Sequence, residues 1–161
     1  MDEYSKLAGK YSPWSFTGKP LSSWGSKWRW KATAQWWVYS LLKILELEKN
    51  DITWKTFIVQ WAGNAGLTFA DILTDLWAKL IWISDSKWAI FNENGIDIEE
   101  IQKLKQNRKS VVDYYNKAEI VSNEEILEKT CDILVPAALE NQITSENAKN
   151  IKAKIILELA N

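Results

Sequence analysis

The sequence predicts an α/β domain with a mostly parallel sheet that is covered by helices on both faces. Apolar runs of strand length alternate along the chain with segments whose apolar residues recur at helical spacing. One predicted strand also leads through a tight turn directly into a helix, in the stretch from Lys55 to Leu73, KTFIVQWAGNAGLTFADIL. Strand–turn–helix units are typical of parallel sheets, because two parallel strands need a crossover connection between them.

Each element follows from a local pattern. Strands are predicted from short apolar or β-branched runs, at residues 56–60, 79–84, 131–135 and 153–159. Helices are predicted from apolar residues three and four positions apart and from capping residues, at residues 31–48, 65–76, 97–106, 123–129 and 145–150. Ser122 and Glu125 have the spacing of a capping box, and Thr144 is the expected N-cap of the last helix. The chain stops directly after a predicted strand, so we expect a truncated single domain over residues 1–161.

Composition is typical of a soluble globular domain and excludes several classes of function. The 161 residues are 47% hydrophobic and 25% charged, with 20 basic and 21 acidic side chains, so there is no electrostatic argument for nucleic acid or an anionic membrane. No apolar run approaches the roughly 20 residues that span a bilayer. The polar N-terminus is not a secretory signal, and the single cysteine, Cys131, fits a reducing compartment and a place in the core. We therefore expect a cytoplasmic protein.

The turn after the first strand has the layout of the dinucleotide-binding fingerprint G-x-G-x-x-G, with Trp61 in place of the first glycine. In that fingerprint the second glycine, here Gly63, lets the backbone approach a pyrophosphate, and the third, Gly66, lets helix and strand pack closely. The amides of Asn64 and Ala65 would open the helix and point at the anion. A dinucleotide cofactor is therefore the expected ligand.

Two further segments follow predicted strands and are candidates for the same site. Asp85 ends the second strand, 24 residues after Trp61, near the spacing of a carboxylate that accepts from the adenosine ribose hydroxyls. That role, with Ser86 beside it, favours NAD over NADP; the alternative is that Asp85 only caps the turn from Ser84 to Lys87. Pro136, Ala137 and Ala138 follow the third strand, where small residues leave room for a ligand.

Four blocks of the sequence resemble glutamate dehydrogenases, and together they cover essentially the whole chain. They are TGKPLSSWGSKWRWKATAQWWVY, VQWAGNAG, ISDSKWAIFNENGIDIEEI and EIVSNEEILEKTCDILVPAALENQITSENAKNIKAKIILELAN, the last being highly specific. The resemblance implies a doubly wound, Rossmann-like fold and a reversible, NAD(P)-dependent oxidative deamination of an amino acid. Within the family the run PAALENQIT favours glutamate over leucine, valine or phenylalanine. NAD is the expected cofactor, and NADP is possible.

The same resemblance assigns further residues. It implies that Arg29, Thr33, Asn141 and Asn161 contact the cofactor, with the threonine and the final asparagine on the nicotinamide side. Lys31 replaces the acid that is usual in the family. The catalytic lysine and aspartate of the family belong to a substrate domain that precedes this segment, so no catalytic residue and no metal ligand is assigned here. The chain alone is expected to be inactive, and the full-length protein is expected to be a homo-oligomer that binds the amino-acid substrate.

The tryptophans are the abnormal feature of the sequence, which has 11 of them against only 6 glycines. By the resemblance, eight align with glycines of the family or with positions where glycine is common: Trp14, Trp24, Trp28, Trp36, Trp54, Trp61, Trp77 and Trp88. Trp77 lies where a helix turns into a strand, a position that usually needs a left-handed backbone. One hypothesis is that these are glycine UGA codons translated as tryptophan. The other is a diverged, non-catalytic Rossmann-like binding or interaction module with exposed tryptophans.

Overall fold

The computed structural model describes residues 2–12, 15–16, 18–117 and 119–160, and only the backbone of Trp30. The chain divides into two compact units, residues 1–33 and residues 34–161. The described helices are α1 (Asp2–Leu7), α2 (Arg29–Leu47), α3 (Asn64–Asp75) and α4 (Ile98–Gln106). Short 3-10 turns lie at Leu21–Ser23, Val111–Asp113, Glu125–Glu128 and Ala148–Asn150.

The first unit is held by local contacts around α1. The rings of Tyr4 and Phe16 meet edge to face with centroids 5.4 Å apart. The Ser12 amide donates to Ser5 Oγ at 3.2 Å and so joins the following segment to the helix. A Cβ at Gly25 would collide with the carbonyl oxygens of Lys19 and Pro20, so this turn requires glycine.

The second unit contains a six-stranded sheet in the order β4-β3-β2-β1-β5-β6. Its strands are β1 (Thr56–Gln60), β2 (Lys79–Ser84), β3 (Trp88–Phe91), β4 (Glu119–Ser122), β5 (Ile133–Pro136) and β6 (Ile155–Ile156). β2, β1, β5 and β6 run parallel to one another, whereas β3 and β4 add antiparallel pairs at one edge. The predicted α/β class with a mostly parallel sheet is confirmed.

Alternating side chains of β1 pack into two separate hydrophobic cores, one on each face of the sheet. Phe57 and Val59 lie in the larger core with buried residues of α2, α3 and α4, whereas Ile58 points to the opposite face. That second core is closed by Ile126 and Leu127 of a 3-10 turn, where a full α-helix was expected. The register between β1 and β2 shifts between Phe57 and Ile58, a bulge that changes the alternation along β2.

Two predicted helices are wrong, since each of these segments forms only a short 3-10 turn. At residues 123–129 the capping box does form, with Glu125 N donating to Ser122 Oγ at 3.3 Å, but only the 3-10 turn Glu125–Glu128 follows. At residues 145–150 the Glu146 amide donates to Thr144 Oγ1 as expected. There Asn147 bonds two backbone groups with its own side chain, which competes with helical hydrogen bonds.

The strand predictions were incomplete. Strands β3 and β4 were not predicted, because both are four-residue strands that are set by antiparallel pairing, of β3 with β2 and of β4 with β3 at the edge of the sheet. The strand expected at 131–135 spans Ile133–Pro136, and Asp132 before it still bonds to β1, since its amide donates to Thr56 O at 3.1 Å and its carboxylate accepts from Thr56 N at 2.9 Å. The strand expected at 153–159 is regular only at Ile155–Ile156, although Leu159 N still donates to Pro136 O at 2.8 Å.

Three helix ends share one geometry. After α3, the Trp77 amide donates to Thr74 O at 3.0 Å and the Ala78 amide to Leu73 O at 3.1 Å, which is a Schellman motif. The same pair of bonds closes α2 around Lys49 and α4 around Arg108. All three residues have φ between 54° and 64°. The prediction that Trp77 needs a left-handed backbone is confirmed.

The glycine-aligned tryptophans are exposed, and four of them have a left-handed backbone. Among the described residues other than glycine φ is positive at seven, four of which are Trp24, Trp54, Trp61 and Trp77. Trp28, Trp36 and Trp88 are exposed without that strain, and Trp14 lies outside the described residues. By contrast Trp82, which aligns with no family glycine, is 4% exposed and belongs to the second core. No described helix is both long enough and apolar enough to cross a membrane.

Candidate functional site

The candidate site lies at the carboxyl ends of β1 and β5. From β1 the chain passes to β2 on one side of it and later returns to β5 on the other side. The two crossovers diverge at this point, and ligands of open α/β sheets bind in the crevice that results. The turn after β1 and the segment after β5 border this crevice, since Ala137 N donates to Gln60 O at 3.0 Å.

The turn that joins β1 to α3 is fixed by the neighbouring strand. Trp61 N donates to Ser84 Oγ at 2.9 Å, and Ala62 N donates to Ser84 O at 2.6 Å. Gly63 is the N-cap of α3, and because glycine has no side chain, no side-chain oxygen caps the helix. The amides of Asn64, Ala65 and Gly66 find no acceptor among the described residues, so the start of α3 presents open donors.

Gly66 has the packing role that its place in the fingerprint predicts. A Cβ there would collide with the Trp61 carbonyl oxygen, would lie 3.0 Å from Val59 Cγ1 and would lie 3.6 Å from Ala137 Cβ. The helix therefore touches β1 and the segment after β5 at this residue. Any side chain would push α3 away from the sheet.

Trp61 has a strained backbone, and its indole covers part of the turn. Its φ is 83°, in the region that a residue with a Cβ rarely adopts. A Cβ on Gly63 would lie 2.7 Å from Trp61 Cδ1 and 2.8 Å from its Nε1, so the indole packs against the N-cap of α3. The ring thus lies beside the residue that precedes the open amides.

Asp85 follows β2 and has both carboxylate oxygens occupied by its own loops. Oδ1 accepts from the amides of Lys87 and Trp88 at 3.1 and 3.2 Å. Oδ2 accepts from Ser110 Oγ at 2.7 Å and from Val111 N at 3.1 Å, with Lys105 Nζ at 3.5 Å. The two bonds at Oδ1 are those of the turn-capping alternative, whereas those at Oδ2 join a different segment. A carboxylate has about four acceptor positions in all.

The surroundings of Asp85 favour its charged form. Burial raises the pKa of the Asp85 carboxyl, but the four hydrogen bonds outweigh burial and lower the pKa to about 2. The carboxylate is therefore charged at any physiological pH and joins the loop after β2 to the segment after α4.

The segment after β5 is anchored by a buried amide that sequence reasoning missed. Gln60 is fully buried, and its Nε2 donates to Gln142 Oε1 at 2.8 Å. Its own Oε1 has no partner among the described residues. Gln142 follows Asn141, an exposed residue with φ of 59°. A polar residue at the end of an otherwise apolar strand was the available signal.

The other predicted residues have these places. Pro136 is the buried end of β5, and Ala137 and Ala138 are half-buried beyond it. Ser86 is exposed in the loop after β2. Arg29 and Thr33 are exposed residues of the first turns of α2, in the first unit. Asn161 lies outside the described residues.

Ser84 and Asn123 were also missed. Ser84 Oγ donates to Asn123 Oδ1 at 2.6 Å while it accepts from the Trp61 amide, so a buried polar pair fixes the turn.

The described residues hold no group of three or more His, Cys, Asp or Glu that could bind a metal ion. Burial raises the pKa of the Cys131 thiol to about 12, which fits the expected place of this residue in the core.

A model of the glutamate/leucine/phenylalanine/valine dehydrogenase family matches residues 25–161. The chain belongs to this family. It is 41% identical to a cryptic catabolic NAD-specific glutamate dehydrogenase of Bacillus subtilis and 40% identical to an NAD-specific glutamate dehydrogenase of Staphylococcus aureus. In both comparisons all 161 residues are aligned, over 37% and 38% of the relative's length. The predicted resemblance is confirmed.

Solved dehydrogenases of this family have the same fold. The glutamate dehydrogenase of Plasmodium falciparum superimposes with a TM-score of 0.84 at 26% identity, over 99% of this chain and 36% of that one. The chain therefore spans less than two-fifths of the length of the proteins that it matches.

Proposed function

We propose that this chain is the dinucleotide-binding part of an NAD-dependent glutamate dehydrogenase. The full-length protein interconverts L-glutamate with 2-oxoglutarate and ammonia, and the part described by this sequence is inactive alone. Two relatives, 41% and 40% identical to this chain, are named NAD-specific glutamate dehydrogenases. The run PAALENQIT also favours glutamate as the substrate. A cytoplasmic location and a homo-oligomeric parent belong to the same proposal.

The observation that carries the proposal is the open start of α3 at the switch point of the sheet. Three unpaired amides, of Asn64, Ala65 and Gly66, favour an anion, and the helix dipole adds to this. Gly66 lets α3 approach the sheet closely enough to place these amides in the crevice. The backbone of the turn therefore fits the pyrophosphate of a dinucleotide.

The side chain of Trp61 does not fit the same ligand. Its indole packs against Gly63, where the fingerprint requires close approach of the pyrophosphate. The chain with tryptophan at this position is therefore expected to bind dinucleotide very weakly. With glycine there, Gly63 and the open amides become accessible.

The remaining assignments extend from this turn. Asp85 and Ser86 lie on the adenosine side after β2. Pro136, Ala137, Ala138 and Asn141 border the crevice after β5. Arg29, Thr33 and Asn161 are assigned to the cofactor by the family resemblance alone, with Thr33 and Asn161 on the nicotinamide side. Only the longer protein would bring the amino-acid substrate to this cofactor.

The test compares three forms of the chain in thermal melting with and without NAD. One is the chain as written, one has all eight glycine-aligned tryptophans replaced by glycine, and one has seven replaced and retains Trp61. We expect NAD to raise the melting temperature of the eightfold variant only. If NAD leaves the eightfold variant unchanged, the cofactor role is wrong. If NAD raises the melting temperature of the chain as written as much as that of the eightfold variant, the proposed obstruction by Trp61 is wrong.

A second experiment addresses the reaction of the full-length gene product. With glycine at the eight positions, we expect it to reduce NAD with L-glutamate and to do so at a much lower rate with leucine, valine or phenylalanine. A preference for one of the apolar amino acids would contradict the substrate assignment while leaving the family unchanged.

The alternative, an interaction module, is favoured by the exposure of all seven described glycine-aligned tryptophans. The backbone argues against it, because four of these side chains sit on left-handed residues and so add strain without burial. UGG at all eight codons, together with loss of folding in the eightfold variant, would establish the alternative.

A further inference from the structure

A single residue, Gln60, holds both ends of the segment that follows β5. Its backbone oxygen accepts a hydrogen bond from the Ala137 amide at 3.0 Å, where this segment begins. Its side-chain Nε2 donates to Gln142 Oε1 at 2.8 Å, where the segment ends. Residues 137–142, called the β5 loop from here on, are therefore closed at both ends by the last residue of β1.

The middle of the β5 loop has few contacts of its own. The backbone amides of residues 138–141 donate to no acceptor within the described part of the chain. Leu139 is 67% exposed, so it gives the loop no apolar anchor, and Asn141 has a left-handed φ of 59°. A segment with so few contacts opens at a low cost in free energy unless its ends are fixed. The conformation of the β5 loop therefore depends on its two attachments to Gln60.

The second attachment has a neighbour that cannot replace it. Asn147 Nδ2 donates to Gln142 O at 2.8 Å and so also holds the end of the loop. Asn147 lies only five positions further along the chain, however, and belongs to the same excursion between β5 and β6. Gln60 belongs to the sheet, so its side chain is the group that joins this end of the loop to a fixed element.

The stability of the fold does not explain a glutamine at this position. Gln60 is fully buried, and its Oε1 has no hydrogen-bond partner among the described residues. A buried acceptor without a donor costs free energy, and an apolar side chain of the same length would avoid that cost. Gln142 is only half-buried, so water could solvate it if Gln60 were replaced. An apolar residue at position 60 would therefore leave the fold equally stable or more stable.

The place of the β5 loop supplies an explanation for Gln60. The loop and the turn after β1 border the same crevice, and Gln60 directly precedes that turn. A site that is ordered before binding has a higher affinity, because the ligand then pays no cost for ordering it. We propose that Gln60 is a positioning residue, which fixes the β5 loop beside the turn through Gln142 before the cofactor binds. This inference rests on the proposed dinucleotide role and extends it.

The attachment is first tested without cofactor, so that Trp61 has no influence. A glutamate-specific endoprotease is used to cut the chain as written after Glu140, in the exposed part of the β5 loop, and after Glu93, in the turn after β3. We expect Gln60→Met to speed cleavage after Glu140 about tenfold, because the loop opens more often, and to leave cleavage after Glu93 unchanged. An unchanged rate at Glu140, or an equal increase at Glu93, would overturn the inference.

Thermal melting of the same variants separates positioning from a structural role. Gln60→Met removes the unsatisfied acceptor, so we expect an unchanged or higher melting temperature. Gln142→Met breaks the same hydrogen bond but leaves the whole Gln60 carboxamide buried without a partner, so its melting temperature should fall. Both variants should speed cleavage after Glu140 equally, and the double variant should speed it no further. A lower melting temperature in Gln60→Met would show a structural role and overturn the inference.

The eightfold glycine variant then separates this inference from the proposed function. In that background we expect Gln60→Met to weaken NAD binding about tenfold. Gln102→Met is the matched control, because Gln102 is half-buried on α4, and it should leave NAD binding unchanged. NAD binding that Gln60→Met does not weaken would overturn the inference and keep the proposed function. Faster cleavage after Glu140 with no NAD bound by the eightfold variant would overturn the proposed function and support the attachment of the β5 loop by Gln60.

Discussion

At Trp61 a single side chain causes two separable effects. Its φ of 83° is unfavourable for any residue with a Cβ, by roughly 1–2 kcal/mol, and its indole lies against Gly63. Glycine would remove both effects, whereas alanine would remove only the indole. Comparing the two substitutions therefore separates backbone strain from obstruction.

We expect Trp61→Gly to be more stable than Trp61→Ala by about 1 kcal/mol in urea unfolding, because only glycine relieves the left-handed φ. Trp82→Gly is the opposite control, since it removes a buried ring that stacks on Phe91 with centroids 4.8 Å apart. It should destabilise by about 3 kcal/mol or more. Equal stability of the two Trp61 variants would show that the turn is unstrained.

Asp85 makes the stability of the fold depend on acid pH. Its pKa of about 2 in the folded protein lies below the ordinary value, so the folded state favours the charged form. This contribution is complete above about pH 4 and is lost as the pH falls from 4 to 2. The contribution of Asp85 to the free energy of unfolding is on the order of 2 kcal/mol. The free energy of unfolding, measured against pH, should fall less steeply in that window in Asp85→Asn, and an identical slope would contradict this role.

At the scale of elements, three helices end in the same motif without glycine. The residues at the left-handed position are Lys49, Trp77 and Arg108, and all three are exposed. Side-chain burial therefore gives little compensation for the strained φ. Replacement of Trp77 would remove its ring contact with Trp54, at 6.2 Å between centroids.

We expect Lys49→Gly and Trp77→Gly each to raise the free energy of unfolding by about 1 kcal/mol, because both relieve a left-handed φ. Lys43→Gly is the matched control, since Lys43 lies within α2, where glycine should cost about 1 kcal/mol. Denaturant unfolding measures all three. Destabilisation by Trp77→Gly alone would show that the Trp54–Trp77 contact outweighs the strain.

Across the described residues, the tryptophans that align with family glycines differ from the others in burial. The seven described residues that align with family glycines are exposed, whereas Trp82 is buried and Trp37 packs against the larger core. Mis-decoded glycine codons would produce this division, because glycine positions in turns have no space prepared for an indole inside the fold. An interaction surface would instead require indoles on a relaxed backbone.

We therefore expect peptide mass spectrometry of the protein from its native source to find glycine at Trp24, Trp54, Trp61 and Trp77. Tryptophan should be found at Trp82 if its codon is UGG, and the nucleotide sequence supplies that comparison. Tryptophan at all four left-handed positions would exclude mis-decoding and leave divergence as the explanation.

Local patterns in the sequence determined the class of fold. They also determined β1, α3, β2 and α4, because each of these elements combines a clear apolar period with its own turn or cap. The glycines at 63 and 66 likewise predicted the place of the candidate site. The sequence could not determine β3 and β4, since these strands of four residues are set by antiparallel pairing, of β3 with β2 and of β4 with β3. It did not predict that residues 123–129 and 145–150 form only 3-10 turns; in the second segment the Asn147 side chain bonds two backbone groups.

The tertiary structure alone decided what Asp85 does and what surrounds it. Spacing placed this carboxylate at the end of a strand, but Ser110 and Val111, 25 and 26 residues further on, occupy its second oxygen. The grouping of Lys87 with Arg108 and Lys109 arises in the same way, from α4 returning beside the loop after β2. Local periodicity determines which residues form an element, whereas hydrogen-bond saturation and local charge depend on contacts between residues far apart in the chain.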